Sequence, residues 1–474
     1  MCKISLLFRT GMLVTAIVAY LILNLAVGLW ASRRVKNTED FVLAGRNLPF
    51  ALASMVTFAT WFGSETMMGA PGRFVKEGFL GVIEDPFGAG LCLILVGLVY
   101  ARIFYRWNII TFCDFFGLRF GKSAEYLSAI LIVPSYFGWI AAQLVAMSIV
   151  GQTVFGLPMA TGIWVGAGLV MVYTLTGGMW SISVTDFLHN IILIAGLVIL
   201  AAILWQETGG LAQLTEKQPI GFFRLVPGEF SLSSSLDYFA AWITIGLGSI
   251  PQQDVFQRVM AAKDARTAVR SSVAAGGLYW TIALFPLFIA LAAVQLHPDL
   301  LRSDPQLIIP NMVLQHTPLA IQILFFGALI SALLSTTSGA ILAPAAVIGE
   351  NLVRPFFKDM EDRKLLLAIR LAVVFVTASS VWMALGKQDV FELVGDSSAL
   401  SLVSLFVPMT AGLFWKRATL PGCLLSMVLG CVGLWADGLL PVNPILTGLL
   451  FSTVGMAGGS LLLPRPALLT RRSS

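Results

Sequence analysis

Ala59-Thr60-Trp61-Phe62-Gly63-Ser64-Glu65-Thr66-Met67-Met68-Gly69-Ala70-Pro71-Gly72 sits inside an apolar run that extends from 48 to 72. A run of about 20 apolar residues is long enough to cross a bilayer as a helix. The glycines and Pro71 weaken the backbone ladder at that depth, and carbonyls freed inside a membrane must find protein, water or an ion. Gly246-Leu247-Gly248-Ser249-Ile250-Pro251 interrupts a second run, 236–257, in the same way. Each cluster alone reads equally well as a kink or a close-packing surface. Two interrupted helices at equivalent positions of two halves, however, point to the binding site of a transporter. Their spacing, five runs apart, suits the first helices of two five-helix repeats. An odd number of helices per repeat makes the second repeat inverted.

Working outward from these runs gives thirteen apolar segments, near 11–31, 48–72, 79–101, 124–154, 160–176, 183–206, 236–257, 271–296, 318–351, 366–385, 390–414, 419–436 and 444–463. They are continuously apolar, whereas the strands of a spanning barrel alternate. The expected fold is an all-α polytopic membrane protein of about 13 transmembrane helices, a single domain over 1–474. It divides into a leading helix (11–31), a first five-helix repeat (48–206), a second, inverted repeat (236–414) and two trailing helices (419–463).

Composition agrees. The chain is 57% hydrophobic and 12% charged, against about 25% charged in soluble domains. The net charge of +5 could suggest a nucleic-acid partner, but topology accounts for it. With the N-terminus outside and the C-terminus cytoplasmic, 21 of the 30 Lys and Arg fall in inside segments and 8 in outside ones. That asymmetry is the positive-inside rule, and no nucleic-acid surface is expected. The first run lacks a clear cleavage site and is followed by Arg33-Arg34, so it reads as a retained helix. The five cysteines show no disulfide or metal spacing, and His189, His297 and His316 lie far apart in the chain, which argues against zinc. No Ser/His, paired-carboxylate or metal-ligand arrangement points to an enzyme, and no catalytic residue is assigned. No GxxxxGK[ST] loop points to ATP-driven transport.

Four segments carry a family resemblance. Asp40-Phe41-Val42-Leu43-Ala44-Gly45-Arg46-Asn47-Leu48 precedes the first broken helix. Thr111-Phe112-Cys113-Asp114-Phe115-Phe116-Gly117-Leu118-Arg119-Phe120-Gly121 forms an inside amphipathic segment. Tyr173-Thr174-Leu175-Thr176-Gly177-Gly178-Met179-Trp180-Ser181 precedes Thr185-Asp186, and Gly412-Leu413-Phe414-Trp415-Lys416-Arg417-Ala418-Thr419 closes the eleventh run. Spread over about 380 residues in order, these segments resemble the sodium:solute symporter family of proline, sugar, sialic acid and choline carriers. The resemblance implies a LeuT-type fold and sodium as the coupling ion, with no organic cofactor.

Sodium prefers oxygen ligands. The run Ser331-Ala332-Leu333-Leu334-Ser335-Thr336-Thr337-Ser338-Gly339 supplies hydroxyls, although hydroxyls in membrane helices also bond back to their own backbone. The resemblance implies a sodium site at Ser335 and Thr336 with carbonyls of Ala59, Phe62 and Ala332. Some relatives hold a second sodium, whose ligands match Asp186, Ser335 and Ser338 and a serine where this chain has Gly339. For the solute, an ionisable residue at membrane depth is a functional candidate, which singles out Glu65. Trp61 and Trp139 match aromatic positions of the choline branch, but two other positions of that cage correspond to Ala89 and Gln252. Gln143, Gln252, Gln253 and Asp254 could line a more polar cavity. The candidate solute residues are therefore Trp61, Glu65, Trp139, Gln143 and Gln252.

The expected function is sodium-coupled symport of a small polar solute, such as an amino acid or amine, into the cell by alternating access. The expected partners are solute, sodium and lipid, with no obligatory protein partner, in the plasma membrane and, by its short loops, a bacterial inner one. A membrane sensor of the same fold, or proton coupling, are the alternative readings.

Overall fold

The computed structural model describes residues 2–32, 43–107, 109–228, 231–302, 304–357, 360–436 and 442–463. Asp40, Phe41 and Val42 of the first resemblance segment, together with Arg33, Arg34 and Lys36, lie outside these residues.

The described chain is helical almost throughout, with Leu48 and Ala262 forming an isolated parallel bridge. Among the described residues, eight helices are long and apolar enough to cross a membrane, and four shorter apolar helices accompany them. Polar residues cap many helix starts between spans: Ser231, Asp264, Asp389, Thr419 and Asn443 each accept a backbone N–H of the first turn. This meets donors that a helix start leaves unpaired. Outward faces are apolar, with Leu98, Trp164, Phe375 and Trp382 all well exposed, as lipid requires.

Helical backbone continues from Met159 to Thr208. A straight helix would separate Tyr173 from Thr185 by about 18 Å along its axis. Their hydroxyls are in fact 2.8 Å apart, so the chain doubles back between them and makes two limbs. The second limb packs on the helix Leu319–Val347. That hydroxyl-bearing helix is the centre of the molecule, buried at every residue from Phe325 to Val347.

Both interrupted runs are broken. The first comprises Phe50–Ala59, a break, a wide π turn Glu65–Gly69 and Ala70–Glu77. The second comprises Leu232–Gly248, an extended turn and Gln253–Ala261. Near Leu48 and Ala261 the two runs are clasped through main chain, with the Leu48 side chain buried against Ala44, Ala53 and Ala261. Leu48 N–H donates to Ala261 O and Lys263 N–H donates to Leu48 O, each at 3.0 Å.

Two resemblance segments lock together. Thr111 and Asp114 form a capping box, and Asn351 at the end of the hydroxyl helix donates to Asp114 and Glu125. From the same amphipathic helix, Arg119 donates to the carbonyls of Gly412, Trp415 and Ala418. The two trailing helices, Leu420–Trp435 and Pro444–Leu462, meet along small residues. Gly422 lies against Gly459, Gly433 against Gly448, and the Ser426 and Ser452 hydroxyls are 2.8 Å apart. Small residues allow this close approach in membranes.

Candidate functional site

The first break frees one particular carbonyl. Gly63 N–H turns back to Trp61 O at 2.8 Å instead of reaching Ala59, four residues earlier. Ala59 O accepts from Thr336 Oγ1 of the hydroxyl helix at 3.2 Å. Beside Thr336, Ser335 Oγ is fully buried and has no hydrogen-bond partner. Ala332 lies one turn earlier on the same helix, and Phe62 is buried within the break. The structure therefore gathers the expected sodium residues around one junction. Buried polar atoms are nearly always bonded, so the orphaned hydroxyl beside a diverted carbonyl is the donor set a hard cation would complete.

Gln143 lies on the same side. Both polar atoms of its amide lack partners, and a Cβ on Gly63 would come within 3.2 Å of its Oε1. It abuts the break rather than lining the cavity described below.

Asp186, on the second limb of the doubled helix, is buried beside Ser335 and Arg258, and neither carboxylate oxygen is hydrogen-bonded. Arg258 is the one buried Lys or Arg among the described residues. Its Nε donates to Thr60 Oγ1 at 3.0 Å, and a Cβ at Gly339 would meet its Nη2 at 2.9 Å. The place where relatives carry a serine is thus taken up by a guanidinium. Ser338, the remaining expected ligand, is buried on the same helix.

At the second break, Pro251 has no N–H to offer and Gln252 is extended. Gly248 O is satisfied by Ser401 Oγ at 2.7 Å, and Gln252 Nε2 donates to the same hydroxyl at 3.3 Å.

Between the breaks lies a narrow cavity walled by Trp61, Glu65, Trp139 and Gln252, with Ala89, Ser249, Tyr279 and Ser398. Four of the five expected solute residues meet there. So do the four positions compared with the choline cage, two aromatic and two not. Gln253 and Asp254 turn elsewhere, contrary to expectation. Gln253 bonds the backbone of Ile110 and Phe112, and Asp254 accepts from the Tyr136 hydroxyl. After the turn at Pro251, Gln253 faces the amphipathic segment and Asp254 faces Tyr136 at the start of the helix Phe137–Phe155. Above the cavity opens a vestibule of about 610 Å³ bordered by Arg73, Glu84, Lys387, Glu392 and Asp396.

The sequence reading missed Asp85. It is fully buried, and its oxygens accept from Thr66 Oγ1 (2.9 Å) and Tyr279 Oη (2.7 Å). Tyr279 also donates to Trp61 O at 3.3 Å. The signal was available, because Asp85 is an ionisable residue in an apolar run, as Glu65 is. A second correction concerns the histidines. The loop between them folds back, so His297 and His316 lie 2.8 Å apart through Nε2, with Glu207 on His316 Nδ1.

The profile of the sodium:solute symporter family matches residues 41–430. The chain belongs to the sodium:solute symporter family. Among curated symporters, the high-affinity proline transporter PutP of Bacillus subtilis is 28% identical over 87% of this chain and 90% of its own. The sodium/proline symporter of Escherichia coli is 27% identical over 97% and 94%, and the high affinity choline transporter of Homo sapiens 26% over 88% and 75%. The structure of a Na⁺-coupled sialic acid symporter, substrate-bound and outward-open, superposes with a TM-score of 0.82 at 20% identity, covering 96% of this chain and 99% of that one. MhsT in complex with L-phenylalanine gives 0.58 at 14% identity over 87% and 98%. The fold is accordingly of the LeuT type, and the activity is that of a sodium-coupled solute symporter in a membrane.

Proposed function

We propose that this symporter binds one sodium ion at Ala59, Phe62, Ala332, Ser335 and Thr336, and its solute between Trp61, Glu65, Trp139 and Gln252, with Gln143 linking the two. The observation that carries the reading is the Thr336–Ala59 contact beside the unpartnered Ser335 hydroxyl. An ion at that junction would tie the broken helix to the hydroxyl helix and so favour one conformation over another. The entering charge draws about 2.3 kcal/mol per 100 mV from the membrane potential.

The arrangement of two inverted repeats, 48–206 and 236–414, belongs to the same proposal, as does inward transport with the C-terminus in the cytoplasm of a bacterial cell. Asp186 and Ser338 remain the ligands that a second sodium would use. The guanidinium of Arg258 already stands beside Asp186, which supports a single ion.

Thermal stability of the purified protein in Na⁺ or K⁺ at matched ionic strength tests the ion site. An ion at 100 times its Kd adds about 2.7 kcal/mol. Stabilisation by Na⁺ over K⁺ is expected in wild type and is expected to vanish in Ser335→Ala/Thr336→Ala. A double variant that responds to Na⁺ as wild type does would move the site elsewhere.

A further inference from the structure

We propose that the solute is an organic cation bearing N–H donors, an ammonium or a guanidinium, bound by Glu65 against the faces of Trp61 and Trp139. This rests on the symporter reading of the cavity and adds the charge of its solute.

The charge balance of the cavity is one-sided. Glu65 is 7% exposed, lines the cavity, and its Oε1 has no partner. Asp85 and Glu84 lie within electrostatic reach of it. Asp85 holds Tyr279, another wall residue, through a hydrogen bond. No lysine or arginine faces these groups from within the cavity among the described residues. Arg258 lies beyond the break against Thr60 and Gly339. Arg73 is in the vestibule, paired with Glu77, set over the Phe391 ring and close enough to act on Glu84, so the uncompensated charges at the cavity are Glu65 and Asp85. A buried carboxylate needs a counter-charge or a proton, and a cationic solute provides the counter-charge only while it is bound.

The same features disfavour a zwitterion. Anions are held at helix N-termini. Here the limb after the first break begins with Glu65, which faces the cavity. That end already carries a carboxylate, so a solute carboxylate placed there would meet like charge. A quaternary ammonium is disfavoured for another reason. It has no N–H for the unpartnered oxygen, and it depends on aromatic faces, of which Ala89 and Gln252 leave two missing. A primary amine or guanidinium satisfies the oxygen by a charge-assisted hydrogen bond and still stacks on Trp61 and Trp139.

The test is a ligand panel on the purified full-length protein, read by thermal shift in NaCl and in KCl. The probes are ethanolamine, putrescine, agmatine, choline, glycine betaine and proline, with wild type, Glu65→Gln and Trp139→Ala. At least one primary amine or agmatine is expected to stabilise wild type in NaCl. Glu65→Gln should weaken that response about tenfold or more, since a hydrogen bond to a charged group is lost, while keeping the shift caused by Na⁺ itself. Choline, betaine or proline acting where amines and agmatine fail would overturn the proposal. So would a Glu65→Gln protein that binds amines as wild type does, or a panel in which no amine or guanidine acts although the Na⁺ shift is intact. Loss of the Na⁺ shift in wild type would instead count against the symporter site. Because the wild-type panel decides the charge class by itself, a variant that fails to fold does not block the test.

Discussion

At the scale of single residues, Gly339 is the informative departure from the family pattern. A Cβ there would lie 2.9 Å from Arg258 Nη2, so Gly339→Ser must push the guanidinium away from Thr60. Overpacking of this kind costs about 1–3 kcal/mol. Wild-type uptake is expected to rise with Na⁺ concentration with a Hill coefficient of about 1, as one bound ion gives no cooperativity. A coefficient near 2 in flux assays on wild type would show that a second ion is coupled, and its loss in Asp186→Asn would place that ion at Asp186. A glycine-broken helix and a dense hydroxyl run were both visible as letters and drew attention to the first junction, while its individual ligands came from the family resemblance and stand as a proposal. Arg258 was not, since nothing in Phe256-Gln257-Arg258-Val259 says that its side chain reaches back to residues 60 and 339. Long side chains make contacts that sequence spacing does not encode.

At the scale of elements, both breaks use one device: a carbonyl that has lost its helical donor is taken up by a hydroxyl from another helix, Thr336 for Ala59 and Ser401 for Gly248. The amphipathic helix works in the opposite sense, with Arg119 closing three carbonyls around the end of Val407–Phe414. Arg119→Ala should destabilise the protein by about 2 kcal/mol, the order of a hydrogen bond to a charged group. Arg119→Lys should recover only part of this, because an ammonium lacks the planar fork. Thermal denaturation of both variants checks the ranking, and equal stability of wild type and Arg119→Ala would show that water replaces the cap. Glycine and proline placed the breaks correctly. The orientation of the limb after Pro251 was beyond reach, because a turn of unknown dihedrals sets which face Gln253 and Asp254 present.

At the scale of the whole molecule, the excess of basic residues in alternate loops predicts which loops share a side. In a Cys2→Ser background, where Cys92, Cys113, Cys423 and Cys431 are buried, Arg224→Cys should react with an impermeant maleimide on intact cells. Arg266→Cys should react only after permeabilisation. Both positions are exposed, so the reverse pattern would invert the orientation. The helical bundle was legible from apolar run length, while the return of the loop that joins His297 to His316 was not, because loops carry no periodic signal. The clasp at Leu48 has a further consequence. Both of its hydrogen bonds run through peptide groups, so those two bonds are blind to side-chain identity, whereas the packing of Leu48 on Ala44, Ala53 and Ala261 beside them is not. A scan that truncates side chains one at a time would register that packing and leave the two hydrogen bonds unread. Only a change to the amide itself, such as proline at 48, would expose them.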